Sequence, residues 1–375
     1  AVFALLAWLG TGGIAHASPE RWDQLATPLF DHLGLDQGMP HPVAMALAED
    51  GDGFIWIGTQ TGLARWDGYR MRSFRHDLAD PTSLPGDFVQ TLHVDVAGRV
   101  WVGTVAAGLA LYDKHTERFV RVNDELSRGL VSAIASDAKG NLWIGTPDGL
   151  KYYDLVHKTM RRYTHEDTPG LPDNQIRALL VDRAGNLWIG TGTGLARMKP
   201  GGAIATIPVA AGQGGWSDTV MALGENSRGQ IAFGTLKSGI GTVDPLADSG
   251  HLLTPKGVKD MESNMVLSVV ESTPGTWWAG TYGGGIVEYN TAKDRGTRIL
   301  HQPAVSFSLS NDRTAALLRD RSGMIWVSTE RGVDIYDPHS ESIDSVFGAE
   351  GEQEAAVTAL MTDSGGEVWI ALADQ

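Results

Sequence analysis

Short segments of apolar and β-branched residues recur along the chain, separated by turns rich in Gly and Asp. One group begins with the apolar segment Ile176–Val181, and after the turn comes a strand such as 141–146 (NLWIGT). A third segment follows a second turn at a Gly, as in 63–67 and 333–337, and a weaker fourth segment carries an aromatic residue such as Phe74. Runs of four to eight such residues bounded by turn residues predict four short strands per group.

The turn and the second strand share one motif, Asp-x-x-Gly-x-x-Trp-Ile-Gly-Thr, which occurs eight times at intervals of 42 to 48 residues. Its Trp position is occupied by Trp56, Trp101, Trp143, Trp188, Ala232, Trp278, Trp326 and Trp369. A Gly stands three residues earlier in all eight copies, and an Asp, Asn or Ser stands three residues before that Gly. Asp, Asn and Ser bond the backbone of a tight turn, and Gly accepts a positive φ, so the motif predicts a hairpin.

A four-stranded unit repeated at this period predicts an all-β fold, a β-propeller, with one blade per repeat. Seven complete repeats give seven four-stranded blades over 42–348. The partial eighth repeat, 349–375, is expected to open a second propeller that is truncated here. The N-terminal segment 18–41 contains a candidate ring-closing strand at 28–33, which could pair with either the seventh or the eighth repeat.

Charge and the N-terminal residues bear on the binding partners and the cellular location. A net charge of −15 opposes nonspecific binding to nucleic acid or to an anionic membrane surface. Residues 1–17 are small and apolar and end in Ala15-His16-Ala17 before Ser18-Pro19, which predicts the remnant of a signal peptide. We therefore expect an exported, periplasmic protein.

The repeats at 137–150 (DAKGNLWIGTPDGL) and 182–195 (DRAGNLWIGTGTGL) resemble the two-component regulator propeller repeat. The resemblance covers nearly the whole chain after Glu20. It implies the extracytoplasmic sensor region of a bacterial membrane-bound histidine kinase, hybrid kinase or diguanylate cyclase, tethered to the inner membrane by a downstream transmembrane helix. The propeller would not itself be an enzyme, and the full-length receptor would act as a homodimer.

Several motifs have a plain structural explanation. Asp50-Gly51-Asp52-Gly53 is half of a calcium loop, but Thr61 occupies the position of the bidentate acid, so we interpret it as a turn. The Trp row is interpreted as packing between blades. The eleven His are scattered without metal-ligand spacing, and no cofactor or metal site is predicted. A Ser-His-Asp triad stays open, because triads assemble from distant residues.

Function is expected in loops where the repeats differ, on the face formed by the loops that enter each first strand and the loops between second and third strands. The candidate ligand-binding residues there are Phe88, Gln175, Trp216, Lys237, Asn264, Tyr282, Arg313, Glu330 and Arg331. Aromatic faces and planar amides suit a small polar organic ligand such as a sugar. Trp216 lies outside the repeat position, and we expect its removal to leave folding nearly unchanged.

Three functions fit these patterns. The first is a ligand-sensing module of a transmembrane receptor whose output domain lies outside the chain. The second is a propeller enzyme similar to streptogramin lyases, which would need His and Glu clustered on one face. The third is an exported scaffold that binds protein partners. The sequence downstream of Gln375 would separate the first from the other two.

Overall fold

A computed structural model describes residues 28–122, 125–126, 128–210, 216–244, 248–253, 258 and 265–339, and the backbone of 357–362 and 368–372. Within 28–340, which forms one compact unit, seven antiparallel sheets of four principal strands are arranged in a ring. This confirms the predicted seven-bladed β-propeller. In the first six blades the four principal strands pair in sequence order, from the innermost strand beside the central channel outward, and in the seventh blade the N-terminal strand takes the outermost place.

The strands of the first four blades follow the N-terminal strand β1 (Asp31–Leu33) and a short 3-10 turn, Leu35–Gln37. Their bounds are β2 Ala44–Glu49, β3 Ile55–Thr59, β4 Gly62–Trp66, β5 Met71–Phe74; β6 Val89–Val94, β7 Val100–Thr104, β8 Leu109–Asp113, β9 Arg118–Arg121; β10 Ala133–Ser136, β11 Leu142–Thr146, β12 Gly149–Asp154, β13 Thr159–Tyr163; and β14 Ile176–Val181, β15 Leu187–Thr191, β16 Leu195–Met198, β17 Ile204–Ile207.

The last three blades follow a two-residue strand, β18 (Val209–Ala210), which pairs in parallel with the outer edge of the fifth blade. Their bounds are β19 Val220–Glu225, β20 Ile231–Thr235, β21 Ile240–Asp244, β22 Ser249–Leu252; β23 Val266–Thr273, β24 Thr276–Thr281, β25 Ile286–Asn290, β26 Arg295–Ile299; and β27 Thr314–Arg319, β28 Ile325–Thr329, β29 Gly332–Tyr336.

The Asp of the motif closes the turn and also binds the indole. In the first blade, Asp50 Oδ1 accepts hydrogen bonds from the backbone N–H groups of Asp52 and Phe54, both at 3.0 Å, and Gly53 has a φ of +89°. Asp50 Oδ2 accepts the Trp56 indole N–H at 2.7 Å. The same indole bond recurs in the second, fourth and seventh blades. Because the side chain that forms the turn also satisfies a buried donor, Asp and Trp recur together.

The Gly and Thr that end the motif are explained by packing between blades. A Cβ built on Gly58 would lie 2.7 Å from Val89 Cγ1 in the first strand of the next blade. Close packing against that strand therefore requires Gly at position 58. Thr59 Oγ1 donates to the Gly62 carbonyl at 2.8 Å and closes the following turn. The six motif Trp side chains that the structure describes are each at most 6% exposed, as the packing interpretation predicts.

The N-terminal strand joins the two ends of the ring. Of the two pairings that the sequence left open, the structure contains the one with the seventh blade, where β1 pairs antiparallel with β29. His32 Nδ1 donates to Asp334 Oδ1 at 2.8 Å, and Phe30 packs against Trp278 and Tyr336. The seventh blade therefore consists of three strands from the seventh repeat and one strand from the N-terminal segment. This pairing closes the ring.

The proposed eighth repeat contributes two strands, β30 (Val357–Thr362) and β31 (Val368–Leu372), which form an antiparallel hairpin assigned to a second unit. The predicted signal-peptide remnant, 1–17, lies outside the described residues. Among the described residues, no helix has the length and apolar character needed to cross a membrane.

Candidate functional site

We define the upper face as the one formed by the loops that enter the first strands and the loops between second and third strands. These two kinds of loop are joined by one recurring backbone hydrogen bond in five blades. The acceptor carbonyls belong to Val43, Phe88, Gln175, Thr219 and Met265. Phe88 and Gln175 thus occupy equivalent positions on the upper face. The same backbone hydrogen bond holds both residues, but their side chains differ.

Tyr282, Arg313 and Glu330 come together on the upper face between the sixth and seventh blades. Arg313 Nη1 donates to Glu330 Oε2 at 3.0 Å, and the guanidinium lies 5.1 Å from the centroid of the Tyr282 ring. Tyr282 remains 50% exposed. The hydrogen bond to Glu330 raises the pKa of Arg313 further above the high value of any guanidinium. The group offers an aromatic surface, a cation and a carboxylate to solvent at one point.

The loop that carries Tyr282 is held open by glycine. Gly283 has a φ of +106°, and its N–H donates to the Asp312 carbonyl at 3.1 Å. A Cβ at Gly283 would meet no atom within 4 Å, so the space above this turn is free. Since positive φ is accessible to Gly at low cost, the turn can present Tyr282 without backbone strain. We call Tyr282, Arg313 and Glu330 the upper-face cluster.

Gln175 belongs to a separate polar group. Its Oε1 accepts a hydrogen bond from Arg177 Nη2 at 2.9 Å, and its backbone N–H donates to Asp173 Oδ1 at 3.1 Å. Phe88 is half-buried in the entering loop of the second blade, while Arg331 is exposed and its backbone N–H donates to Thr329 Oγ1 at 3.0 Å. None of these three candidates makes a side-chain hydrogen bond or ion pair with the upper-face cluster among the described residues.

Trp216 and Lys237 are organised by a buried carboxylate that sequence reasoning missed. Asp218 Oδ2 accepts the backbone N–H groups of Lys237 at 3.0 Å and Ser238 at 2.8 Å. The Trp216 ring is half-buried and packs edge-to-face on Phe233 at a centroid distance of 5.7 Å. Because the half-buried ring covers part of the fifth blade's core, we now expect removal of Trp216 to lower stability, in contrast to the expectation from sequence. Lys237 is exposed.

Asn264, the remaining candidate, lies outside the described residues. Its neighbour Met265 occupies the ring position equivalent to Phe88 and Gln175. An alignment of the eight repeats on their shared motif could have identified Met265 as the residue that enters the sixth blade.

The central channel contains a cavity of about 450 Å³ that is lined by the innermost strands. Near the upper face its wall includes polar residues, Gln90 and Arg177. Below these lie leucines from several blades: Leu47, Leu92, Leu179, Leu223 and Leu317. Alternation along the first strands could have identified both layers, since residues two apart face the same side. A polar ligand would meet a polar mouth and an apolar layer beneath it.

Three of the His occupy equivalent loop positions, contrary to the expectation that all are scattered. His76, His165 and His301 each place Nδ1 2.6 to 2.7 Å from a Leu carbonyl in the loop that enters the next blade. An imidazole nitrogen beside a carbonyl must donate, so these rings hold the loops in shape. No group of three or more His, Asp or Glu placed to hold a metal occurs in the described part of the chain.

Comparison with known families agrees with the repeat motif. Residues 38–61, 125–148 and 170–193 match the family described as "Two component regulator propeller". The chain carries two-component regulator propeller repeats. No curated protein is significantly similar to it.

Solved structures share the fold of this propeller. The extracellular domain of a protein from B. thetaiotaomicron assigned as a one-component system is 22% identical, with a TM-score of 0.73 over 91% of this chain and 44% of that one. A second such domain, assigned to a hybrid two-component system, is 20% identical, with a TM-score of 0.72 over 92% and 46%. Virginiamycin B lyase from Staphylococcus aureus is 12% identical, with a TM-score of 0.62 over 82% and 98%.

At these identities the neighbours show the fold alone. The chain spans less than half the length of the two extracellular domains that it resembles.

Proposed function

We propose that this propeller is the ligand-sensing module of an exported bacterial signal-transduction receptor. The receptor would be tethered to the inner membrane and act as a homodimer, with a histidine kinase or diguanylate cyclase output outside these residues. The family of the repeats and the extracellular neighbours support a sensor context. A ligand that binds one receptor conformation better than another would shift the output by that difference in affinity.

The observation that carries the proposal is the upper-face cluster. Five blades hold their entering residue by the recurring backbone hydrogen bond, whereas in the seventh blade Arg313 meets an aromatic ring and a carboxylate from two adjacent loops. An exposed ring with charged hydrogen-bonding groups beside it recognises small polar organic molecules, of which sugars are the class we favour. The other candidates that the structure describes lie in loops of the upper face and would contribute to the binding of a larger ligand.

Differential scanning fluorimetry with a panel of monosaccharides, disaccharides and small organic acids tests ligand binding by the chain itself. At least one compound should raise the melting temperature of the native propeller and fail to do so in the Arg313→Ala variant. A compound that stabilises both proteins equally would remove the cluster from the site, and a panel without any stabilising compound would overturn the proposed ligand class.

The first blade provides a matched control. Arg72 also lies over an aromatic ring, Phe74, at 5.3 Å and also pairs with a glutamate, Glu117. Its exposure of 47% is close to the 51% of Arg313, but it lies on an outer strand. Arg72→Ala should keep the full ligand-induced shift. Loss of the shift in both variants would mean that the loss reports general damage and would contradict a local role of Arg313.

The receptor context has its own test. The coding sequence downstream of Gln375 should continue to a transmembrane helix and a kinase or cyclase domain. A stop codon soon after Gln375 would overturn the receptor proposal and leave an exported binding scaffold in its place.

A further inference from the structure

A second cavity lies on the opposite, lower face, which carries the Asp-x-x-Gly turns. It has a volume of about 760 Å³ and lies between the third and fourth blades. Its walls include the aromatic rings of Trp143, Tyr152 and Tyr163, all from the third blade, and Met198 and Lys199 from the fourth. Cavities of 300 to about 1,000 Å³ accommodate small organic ligands. Nothing in the proposed function involves this face.

The cavity exists because one blade lacks an aromatic ring that most blades possess. The third strand of five blades carries an aromatic residue opposite the residue that precedes the motif Trp: Trp66, Tyr112, Tyr153, Tyr289 and Tyr336. This ring packs on the preceding blade, as Tyr112 does on Trp56 at 4.6 Å and Tyr336 on Trp278 at 5.0 Å. In the fourth blade the position is Met198. The narrower side chain leaves the ring-sized space unfilled.

The fifth blade also lacks this ring, having Val243, but there the gap is covered differently. The guanidinium of Arg197 lies 5.4 Å from the Trp188 ring, and the Arg197 side chain is 5% exposed. At the third blade the residue opposite Trp143 is Tyr152, at a centroid distance of 4.5 Å. Tyr152 leans toward the turn, where its hydroxyl donates to Asp137 Oδ2 at 3.0 Å. The cavity therefore lies beside the Tyr152 and Tyr163 rings, and Trp143, which is 6% exposed, forms its inner wall.

The rim of the cavity is cationic. Arg161 lies 4.7 Å from the Tyr163 ring, and neither Arg161 nor Lys139 forms an ion pair with any residue that the structure describes. The cavity wall also includes Arg183 and Lys199, so its lining contains four cations and two carboxylates, Asp137 and Asp182. Asp137 binds Tyr152 and its own turn, and Asp182 binds the Trp188 indole at 2.8 Å. In a chain with a net charge of −15, this local surplus of positive charge favours an anionic ligand.

We propose that this cavity binds a small aromatic carboxylate. The ring would occupy the place that an aromatic side chain fills in five other blades, against Trp143. The carboxylate would meet the guanidinium of Arg161 and the ammonium of Lys139, which are the cations on the rim without an ion-pair partner. Ring stacking supplies orientation, and the paired charges select acids over neutral analogues.

Isothermal titration with 4-hydroxyphenylacetate, and with its uncharged amide as the paired probe, tests the proposal on the whole chain. The acid should bind, and the amide should bind about tenfold more weakly or not at all. Equal binding of the two probes, or no binding of the acid at millimolar concentrations, would overturn the proposal.

Two variants locate the binding. Met198→Tyr restores the ring found in five blades and should abolish binding of the acid while preserving or raising the melting temperature. Arg161→Gln changes an exposed side chain, so it should fold normally and weaken the acid by about tenfold without affecting the amide. If Met198→Tyr fails to fold, Arg161→Gln alone decides, and its binding the acid as tightly as the native chain would refute the site.

Arg313→Ala on the upper face serves as the control. It should leave binding of 4-hydroxyphenylacetate unchanged, whereas Arg161→Gln should leave unchanged any ligand of the upper-face cluster. Loss of acid binding in Arg313→Ala would place the acid on the upper face and contradict the lower-face site. Failure of either proposal is thus distinguishable from failure of the other.

Discussion

Replacing Asp50 with Asn isolates the hydrogen bond that joins the motif's turn to its Trp. The Asn oxygen can keep the two turn bonds at 3.0 Å, but its NH₂ group then faces the Trp56 indole N–H where a carboxylate oxygen now accepts at 2.7 Å. Trp56 is 0% exposed, so water cannot replace the acceptor. Leaving a buried donor unsatisfied, with loss of a charged acceptor, costs about 2 kcal/mol.

A double-mutant cycle separates this bond from the turn itself. Trp56→Phe removes the indole N–H along with part of the ring. In that background, Asp50→Asn should lower the free energy of unfolding only by the amount that it weakens the turn. We expect a coupling energy of about 1 to 2 kcal/mol between the two positions, measured by equilibrium urea unfolding. The fifth blade is consistent with this role of the Asp: it has Asn226 at the Asp position and Ala232 at the Trp position, so no indole there requires a carboxylate acceptor.

The third blade provides the matched control. Asp137 forms the same turn, accepting the Asn141 backbone N–H at 2.9 Å, but its second oxygen binds the Tyr152 hydroxyl instead of an indole. The cycle of Asp137→Asn with Trp143→Phe should give a coupling of at most about 0.5 kcal/mol. Equal coupling in the two blades, or none at Asp50 and Trp56, would refute the assigned role of the indole bond.

Three further outcomes are expected. His32 donates from Nδ1 to Asp334 and from Nε2 to a carbonyl, which requires the imidazolium, and the Asp334 hydrogen bond raises the pKa of His32 above 6.5. The stabilisation of ring closure by His32 should therefore be full below about pH 6 and disappear as the pH rises through the raised pKa. The difference between the unfolding midpoints of the native chain and His32→Asn, measured across that pH range, checks this, and a difference that stays constant would count against it. Arg321→Ala should lower stability by no more than about 1 kcal/mol, because the Arg321 ion pair with Glu49 across the ring closure is 59% exposed at the arginine, and a loss of several kcal/mol in urea unfolding would contradict this. Trp216→Ala should cost about 1 to 3 kcal/mol in the same assay, and an unchanged midpoint would restore the interpretation of Trp216 as a free loop side chain.

The repeated motif was sufficient to predict the blades, because turn chemistry and strand patterning are local. It could not reveal that the turn's Asp also binds the indole, since that bond joins two residues whose side chains meet only after the hairpin forms. Likewise, the sequence placed Tyr282, Arg313 and Glu330 in loops of one face, but which loops touch depends on how adjacent blades pack. The half-burial of Trp216 has the same origin.

The lower-face cavity was visible in principle. Aligning the third strands would have shown Met198 where five blades have an aromatic residue. What the alignment could not show is whether a neighbouring side chain fills the gap, as Arg197 does at the next blade.

The most direct test of the sensor proposal is a titration of the most stabilising panel compound into the native chain and into the Arg313→Ala, Tyr282→Ala and Arg72→Ala variants. The account predicts that the first two variants bind at least about tenfold more weakly and that Arg72→Ala binds like the native chain. Equal affinity in all four proteins would contradict it.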